Sequence, residues 1–145
     1  MEDARKVLND LLVDMFNHIL VLEQKNLQEK GVKLSMSEVH TLENIRKSET
    51  KTMSDVAKLS LVTQGTLTVA VNRLQEKGYI TREKDTDDRR IVRLTLTSKA
   101  TEVLQIHDHF HKEMIDAFIK DLHVDQDQAL ISSLGKIMEY FKENY

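Results

Sequence analysis

Residues 63–96 constrain the fold more than any other part of this chain. Thr63 offers a hydroxyl that accepts from an otherwise unpaired first-turn N–H, so a helix starts there. The run closes at Lys77-Gly78, a cation in the last turn followed by a glycine suited to the left-handed position beyond a helix end. At about 100° per residue, Leu67, Ala70, Val71 and Leu74 gather on one side as the buried stripe. The opposite side carries Gly65, Thr66, Val69, Asn72, Arg73 and Glu76. A face of one glycine, one valine, short polar groups and an arginine is unusual for an ordinary surface helix. It suits a helix lying in a DNA major groove, where Asn pairs with adenine, Arg with guanine and Val meets a thymine methyl.

The hairpin that follows supports this reading. Residues 80–84 and 91–96 have the make-up of short strands, the second alternating Val92, Leu94 and Leu96 with Arg93 and Thr95. A polar turn over 85–90 joins them and sets Arg89 and Arg90 at its tip. Helix, glycine and a hairpin with a basic tip make a winged helix-turn-helix; the alternative is a plain helix–hairpin packing unit with solvated charges. Charge distribution favours the first. The whole chain carries a net −3, but residues 51–99 hold ten Lys/Arg against six Asp/Glu, a net of +4, and the remainder carries −7. Cations concentrated on the reading unit are what phosphate binding requires.

The rest of the chain is helical in pattern. A helix over 4–30 carries Leu8, Leu11, Leu12, Met15, Phe16, Ile19, Leu20, Leu22 and Leu27, a stripe wider than one core contact needs. Ser35 or Ser37 starts the next, through Lys47, with Val39, Leu42 and Ile45 inward. Thr52-Met53-Ser54-Asp55 resembles a capping box with Asp in place of Glu. It opens a short helix whose Val56, Ala57 and Leu59 are expected beneath the reading helix, and the turn 60–62 has no glycine. Thr97-Ser98-Lys99 caps a long helix to about residue 122, with Val103, Leu104, Phe110, Met114 and Phe118 on its inner face. A last helix follows Val124-Asp125 and carries Leu130, Leu134, Ile137, Met138 and Phe141. These terminal helices hold more apolar surface than a 145-residue monomer of this layout covers. We therefore expect a mainly α homodimer: one subunit over 1–145, a winged helix-turn-helix over 35–99, and dimerisation helices from 1–34 and 100–145. Two-fold symmetry would place two reading helices in successive major grooves, about 34 Å apart.

The order of elements resembles the MarR family of bacterial transcriptional regulators along the whole chain. The resemblance is carried by residues 74–80 (LQEKGYI), the wing 85–90 (DTDDRR) and 94–97 (LTLT). In that family's wing an acidic residue precedes an arginine by two positions, as Asp88 and Arg90 do. The resemblance implies that Asp88 holds Arg90 in place while Arg90 enters the minor groove. Residues 16–23, 38–42, 62–66 and 107–114 are similar to a branch of the family that represses fatty-acid biosynthesis genes. That similarity implies a palindromic double-stranded DNA operator and long-chain acyl-acyl carrier protein as co-repressor.

The expected DNA contacts are therefore Thr63, Gln64, Thr66, Val69, Asn72 and Arg73 in the major groove, with Arg89 and Arg90 at the minor groove, ordered by Asp88. Phe16, Leu20, His40, Ile45, His107, Phe110, His111 and Met114 are expected to line an effector cavity. His107 and His111 stand one helical turn apart, a spacing that can share a zinc ion, and His40 could join them. A zinc-responsive regulator using these three is the alternative. Against it stand Val39 and Ile106, where that branch of the family has Glu beside its histidines, and the absence of cysteine. No cofactor or metal is expected. A Gly-rich phosphate loop and a nucleophile elbow are both missing, and the charges of Glu2-Asp3 and 125–127 are simplest as helix-start groups, so no enzyme is expected. No apolar run approaches the roughly 18 residues of a membrane span, and no leader precedes the first helix, so we expect a cytoplasmic protein without a membrane partner.

Overall fold

A computed structural model describes residues 3–145, leaving Glu2 of the expected helix-start pair outside the described residues. The first expected helix is one helical path in three parts. Helix α1 (Ala4–Asn9) is capped by Asp3, whose carboxylate accepts from Arg5 N at 3.0 Å. A π-wound segment follows (Asp10–Met15), and α2 runs over Phe16–Glu29. The wider π turn shifts the register of the apolar stripe between α1 and α2. Gly31 ends this path at φ 78°.

Helix α3 (Met36–Lys47) starts at Ser35. Its hydroxyl accepts from Glu38 N at 3.2 Å while Glu38 Oε1 accepts from Ser35 N at 3.1 Å, a closed capping box. Helix α4 (Met53–Ser60) is capped by Thr52, which accepts from Asp55 N at 3.3 Å. The Asp55 carboxylate turns to the Thr50 hydroxyl instead of back to Thr52 N, so this box stays open. The glycine-free turn is made by Leu61 itself, which takes the left-handed conformation at φ 56°. Val56 and Ala57 are buried as expected, but Leu59 is 47% exposed. Leu59 lies about 110° round the helix from the Val56–Ala57 direction, which leaves it on the flank.

Helix α5 (Gln64–Glu76) is the helix expected to read DNA. It is capped by Thr63, which accepts from Thr66 N at 3.1 Å, and Gly78 just beyond its end sits at φ 85°. Strands β1 (Ile80–Lys84) and β2 (Val92–Leu96) pair antiparallel from Ile80↔Leu96 to Lys84↔Val92. The connection before α4 joins the wing as a third partner, through the bridge Thr52↔Arg93 and a 2.8 Å bond from Leu94 N to Lys51 O. Helix α6 (Ser98–Leu122) is continuous. Helix α7 (Gln128–Asn144) begins later than the sequence suggests. His123 turns left-handed, Val124–Gln126 form a 3-10 turn, and Asp127 caps the helix by accepting from Leu130 N at 3.0 Å.

The chain divides into two compact units, 1–108 and 109–145. The first holds the core. Leu42, Ile45, Val71, Leu74 and Leu94 are fully buried, joined by Leu67 and Leu104. Arg46 makes a two-pronged pair with Asp108 at 2.8 and 2.9 Å, tying α3 to α6. Expected inner-face residues Val103 and Leu104 are buried. In the second unit Phe110 and Met114 are half-buried and Phe118 is exposed, and none of its residues joins the core.

Candidate nucleic-acid interface

The buried stripe of α5 decides what the helix presents. With Leu67, Val71 and Leu74 in the core, Gln64, Thr66, Val69, Asn72 and Arg73 are turned to solvent, and Val69 is 52% exposed with no packing reason to be apolar. Thr63 and Thr66 are joined by a 3.1 Å hydroxyl bond in addition to the cap, which fixes the entry of the helix. Arg73 has no ion-pair partner among the described residues.

The wing tip is built by two aspartates. Asp85 Oδ2 accepts from the backbone of Asp87 and Asp88 at 3.1 and 3.0 Å, and Oδ1 meets the Arg93 guanidinium at 3.4 Å. Those bonds, the Asp88 N–H foremost, hold the Asp85 carboxyl below the usual carboxylate range. Asp88 grips Arg90 through both carboxylate oxygens at 3.0 Å and also accepts Arg90 N. The Arg90 guanidinium lowers the Asp88 carboxyl in turn. Arg90 remains 91% exposed, so it is aimed without being buried. Arg89 beside it is exposed. Asp85 was not among the expected residues, although Asp at the first position of a tight turn is a known nucleus for such bonds.

Below α5 lies a cavity of about 380 Å³ lined by Leu20 from α2, His40, Thr41 and Asn44 from α3, and Thr66, Leu67 and Ala70 from α5. Asn44 Nδ2 donates to Ser60 Oγ at 3.1 Å on its wall. Of the expected effector residues, Leu20 and His40 reach this cavity. Ile45 is instead fully buried in the core, one turn behind Thr41, and Phe16 is 57% exposed. Phe110, His111 and Met114 belong to the C-terminal unit, where Phe110 and His111 meet edge-on at 5.9 Å.

His107 is buried (1% exposed), with its ring 6.4 Å from that of His40. Its Nε2 lies 3.1 Å from Glu43 Oε1 and 3.9 Å from Glu23 Oε1. The His107 contact holds the Glu43 carboxyl below its usual range, against the opposing effect of burial. One donor atom each from His40, Glu43 and His107 lies within 4.8 Å of the others. The carboxylates missing beside the histidines in sequence are thus brought to them by folding, from α2 and α3. Neighbours along the chain could not reveal them, although Glu23, spaced between Ile19 and Leu27 on an otherwise apolar stripe, marked a polar group on a packed face; it is 4% exposed.

A model described as the MarR family matches residues 34–92. The transcriptional regulator ZitR of Lactococcus lactis subsp. cremoris is 30% identical over 117 residues, 79% of this chain and 80% of that protein. Among solved structures, Streptococcus pneumoniae FabT in complex with DNA superposes with a TM-score of 0.89 at 33% identity, covering 99% of this chain and all of that one (100%). The regulator BldR from Sulfolobus solfataricus gives 0.68 at 26% identity, covering 97% and 99%.

Proposed function

The chain belongs to the MarR family of transcriptional regulators, and on that premise we propose that it represses fatty-acid biosynthesis genes from a palindromic operator as a homodimer, with long-chain acyl-acyl carrier protein as co-repressor. Its fold and relatives are those of DNA-binding regulators, not of enzymes. The observation that carries the proposal is the whole-length likeness to FabT held on DNA. It is supported by the make-up of the reading face. Thr63, Gln64, Thr66, Val69, Asn72 and Arg73 form the major-groove surface, and Arg89 and Arg90, the latter set by Asp88, serve the minor groove or its rim.

The cavity beneath α5 falls within the roughly 300–1,000 Å³ of small-molecule sites. Because Thr66, Leu67 and Ala70 form one wall, an acyl occupant would bear on the reading helix itself, and it shifts operator affinity only by as much as it prefers the DNA-bound arrangement. No helix among the described residues is long and apolar enough to cross a membrane, in keeping with a protein acting in the cytoplasm.

The histidine–carboxylate cluster around buried His107 favours a second reading. His40, His107 and Glu43 present the mixed nitrogen and oxygen donors that zinc accepts, and His111 follows His107 by one turn. In this reading zinc, not an acyl chain, sets operator affinity. Operator binding measured with long-chain acyl-acyl carrier protein, with zinc and with chelator separates the two. Tightening by the acylated carrier alone is expected; a response to zinc and chelator alone transfers the role to the cluster, and a response to neither sinks both.

A further inference from the structure

The unassigned group on the reading face is Arg82. It leaves β1 opposite Leu94, which is fully buried, and directly opposed residues of an antiparallel pair share a face. Its stem therefore starts on the packed side of the wing, and its head emerges at α5, where Nη2 donates to Asn72 Oδ1 at 2.6 Å. That partner is neutral. Around it, each of the other structurally engaged arginines has a carboxylate: Arg90 has Asp88, Arg93 has Asp85 and Arg46 has Asp108. Arg82 has none among the described residues. An arginine ordered by an amide keeps its whole charge, and one donated N–H leaves four of its five for another acceptor.

The same bond bears on Asn72. Reading adenine takes both ends of the amide, Oδ1 accepting from N6 and Nδ2 donating to N7. Here one of the two lone pairs of Oδ1 is already taken by a cation, so an N6 donor would have to use the other while crowded against the guanidinium. A phosphate has no such conflict, because its oxygens accept from the guanidinium fork while Asn72 keeps its bond.

From this arrangement we propose that Arg82 is a DNA-phosphate contact of the reading face and that Asn72 is its positioning residue, not a reader of adenine. The proposal rests on the reading of α5 as the major-groove helix and changes the part played by one residue in it.

The test is salt-dependent binding of the full-length protein to two duplexes: one selected by the protein from random DNA, and one unrelated. Arg82→Gln should weaken binding several-fold on both and reduce the magnitude of the slope of log affinity against log salt by about 0.9, the value for one phosphate. Asn72→Ala should act in the same direction on both duplexes with a smaller loss. The double variant should bind no worse than Arg82→Gln alone. An unchanged slope in Arg82→Gln, with a lowered melting temperature, makes Arg82 a pin between wing and helix and overturns the proposal. So does an Asn72→Ala variant that loses preference at a single base pair and adds fully to Arg82→Gln. If the wild type selects no site, sequence-specific reading fails, yet the slope on unrelated DNA still decides the role of Arg82.

Discussion

Arg90 and Arg82 are held at the same surface by different chemistry. Arg90 is gripped by a carboxylate that aims it while cancelling part of its field; Arg82 is held by an amide that leaves its charge intact. Replacing Arg90 by Ala should weaken operator binding and reduce the salt slope by about one unit. Asp88→Ala should cost less, since it removes the aim and not the cation. Equal affinity of Arg90→Ala and wild type across a salt titration would take the wing tip out of DNA binding. Acid should undo the tip only below the ordinary aspartate range. The Asp85 and Asp88 carboxyls are both depressed on folding, so their bonds contribute above the unfolded value and are lost as pH falls through the lower folded one. The amide NMR signals of Asp87, Asp88 and Arg90 should therefore hold steady down to about pH 4, where an ordinary aspartate titrates, and move only below it. Movement at or above that value would mean these bonds do not persist in solution.

The two faces of α5 separate stability from recognition. Leu74 is fully buried, and Leu74→Ala should cost about 2–5 kcal/mol of folding free energy. Val69, half exposed on the other side, should change stability by less than about 0.5 kcal/mol when truncated to Ala while altering operator affinity. Denaturant unfolding beside operator titration checks both. This division was legible in the sequence because Leu67, Val71 and Leu74 repeat at helical spacing between a threonine cap and a glycine end. The same held for the hairpin, whose alternation names its own inward side, while of the two serines that could start α3 only the closed capping box selects Ser35. What escaped were contacts between elements. Glu43 and Glu23 reach His107 from other helices, and Asn72 meets Arg82 across a helix–strand junction. Periodicity within one element carries no record of these. Leu59 misled for a related reason: on a helix as short as α4, two buried residues set the inward direction and a third apolar one is left on the flank.

At the scale of the whole molecule, apolar surface is spread over both ends of the chain. Val7, Leu8, Leu12 and Met15 are exposed in the first unit, and Leu130, Leu134, Met138 and Phe141 along α7 in the second. Neither unit covers its own set, which is the behaviour expected of subunits that associate through their terminal helices. Substituting Met138→Lys together with Leu134→Lys should shift sedimentation from dimer to monomer and lower operator affinity at least tenfold, with helical circular dichroism retained. A dimer that survives this change would place the interface elsewhere. The start of α6, whose Ala100, Val103 and Leu104 lie in the core of the first unit, is also bonded to the chain just past α5: Thr97 and Lys99 donate to the Gly78 and Lys77 carbonyls, both at 2.8 Å.

The left-handed Leu61 has a consequence for how much stability this sequence has left unclaimed. A leucine in that conformation costs roughly 1–2 kcal/mol relative to the right-handed one, and at 87% exposure its side chain recovers almost nothing by packing. Glycine takes the same backbone angles without that penalty, at some entropic cost in the unfolded chain. Leu61→Gly should therefore raise the melting temperature by a few degrees. A chain that keeps an oily, strained residue where a simpler one should be more stable is not settled at its thermodynamic optimum, and an engineer seeking a hardier regulator would begin at this turn.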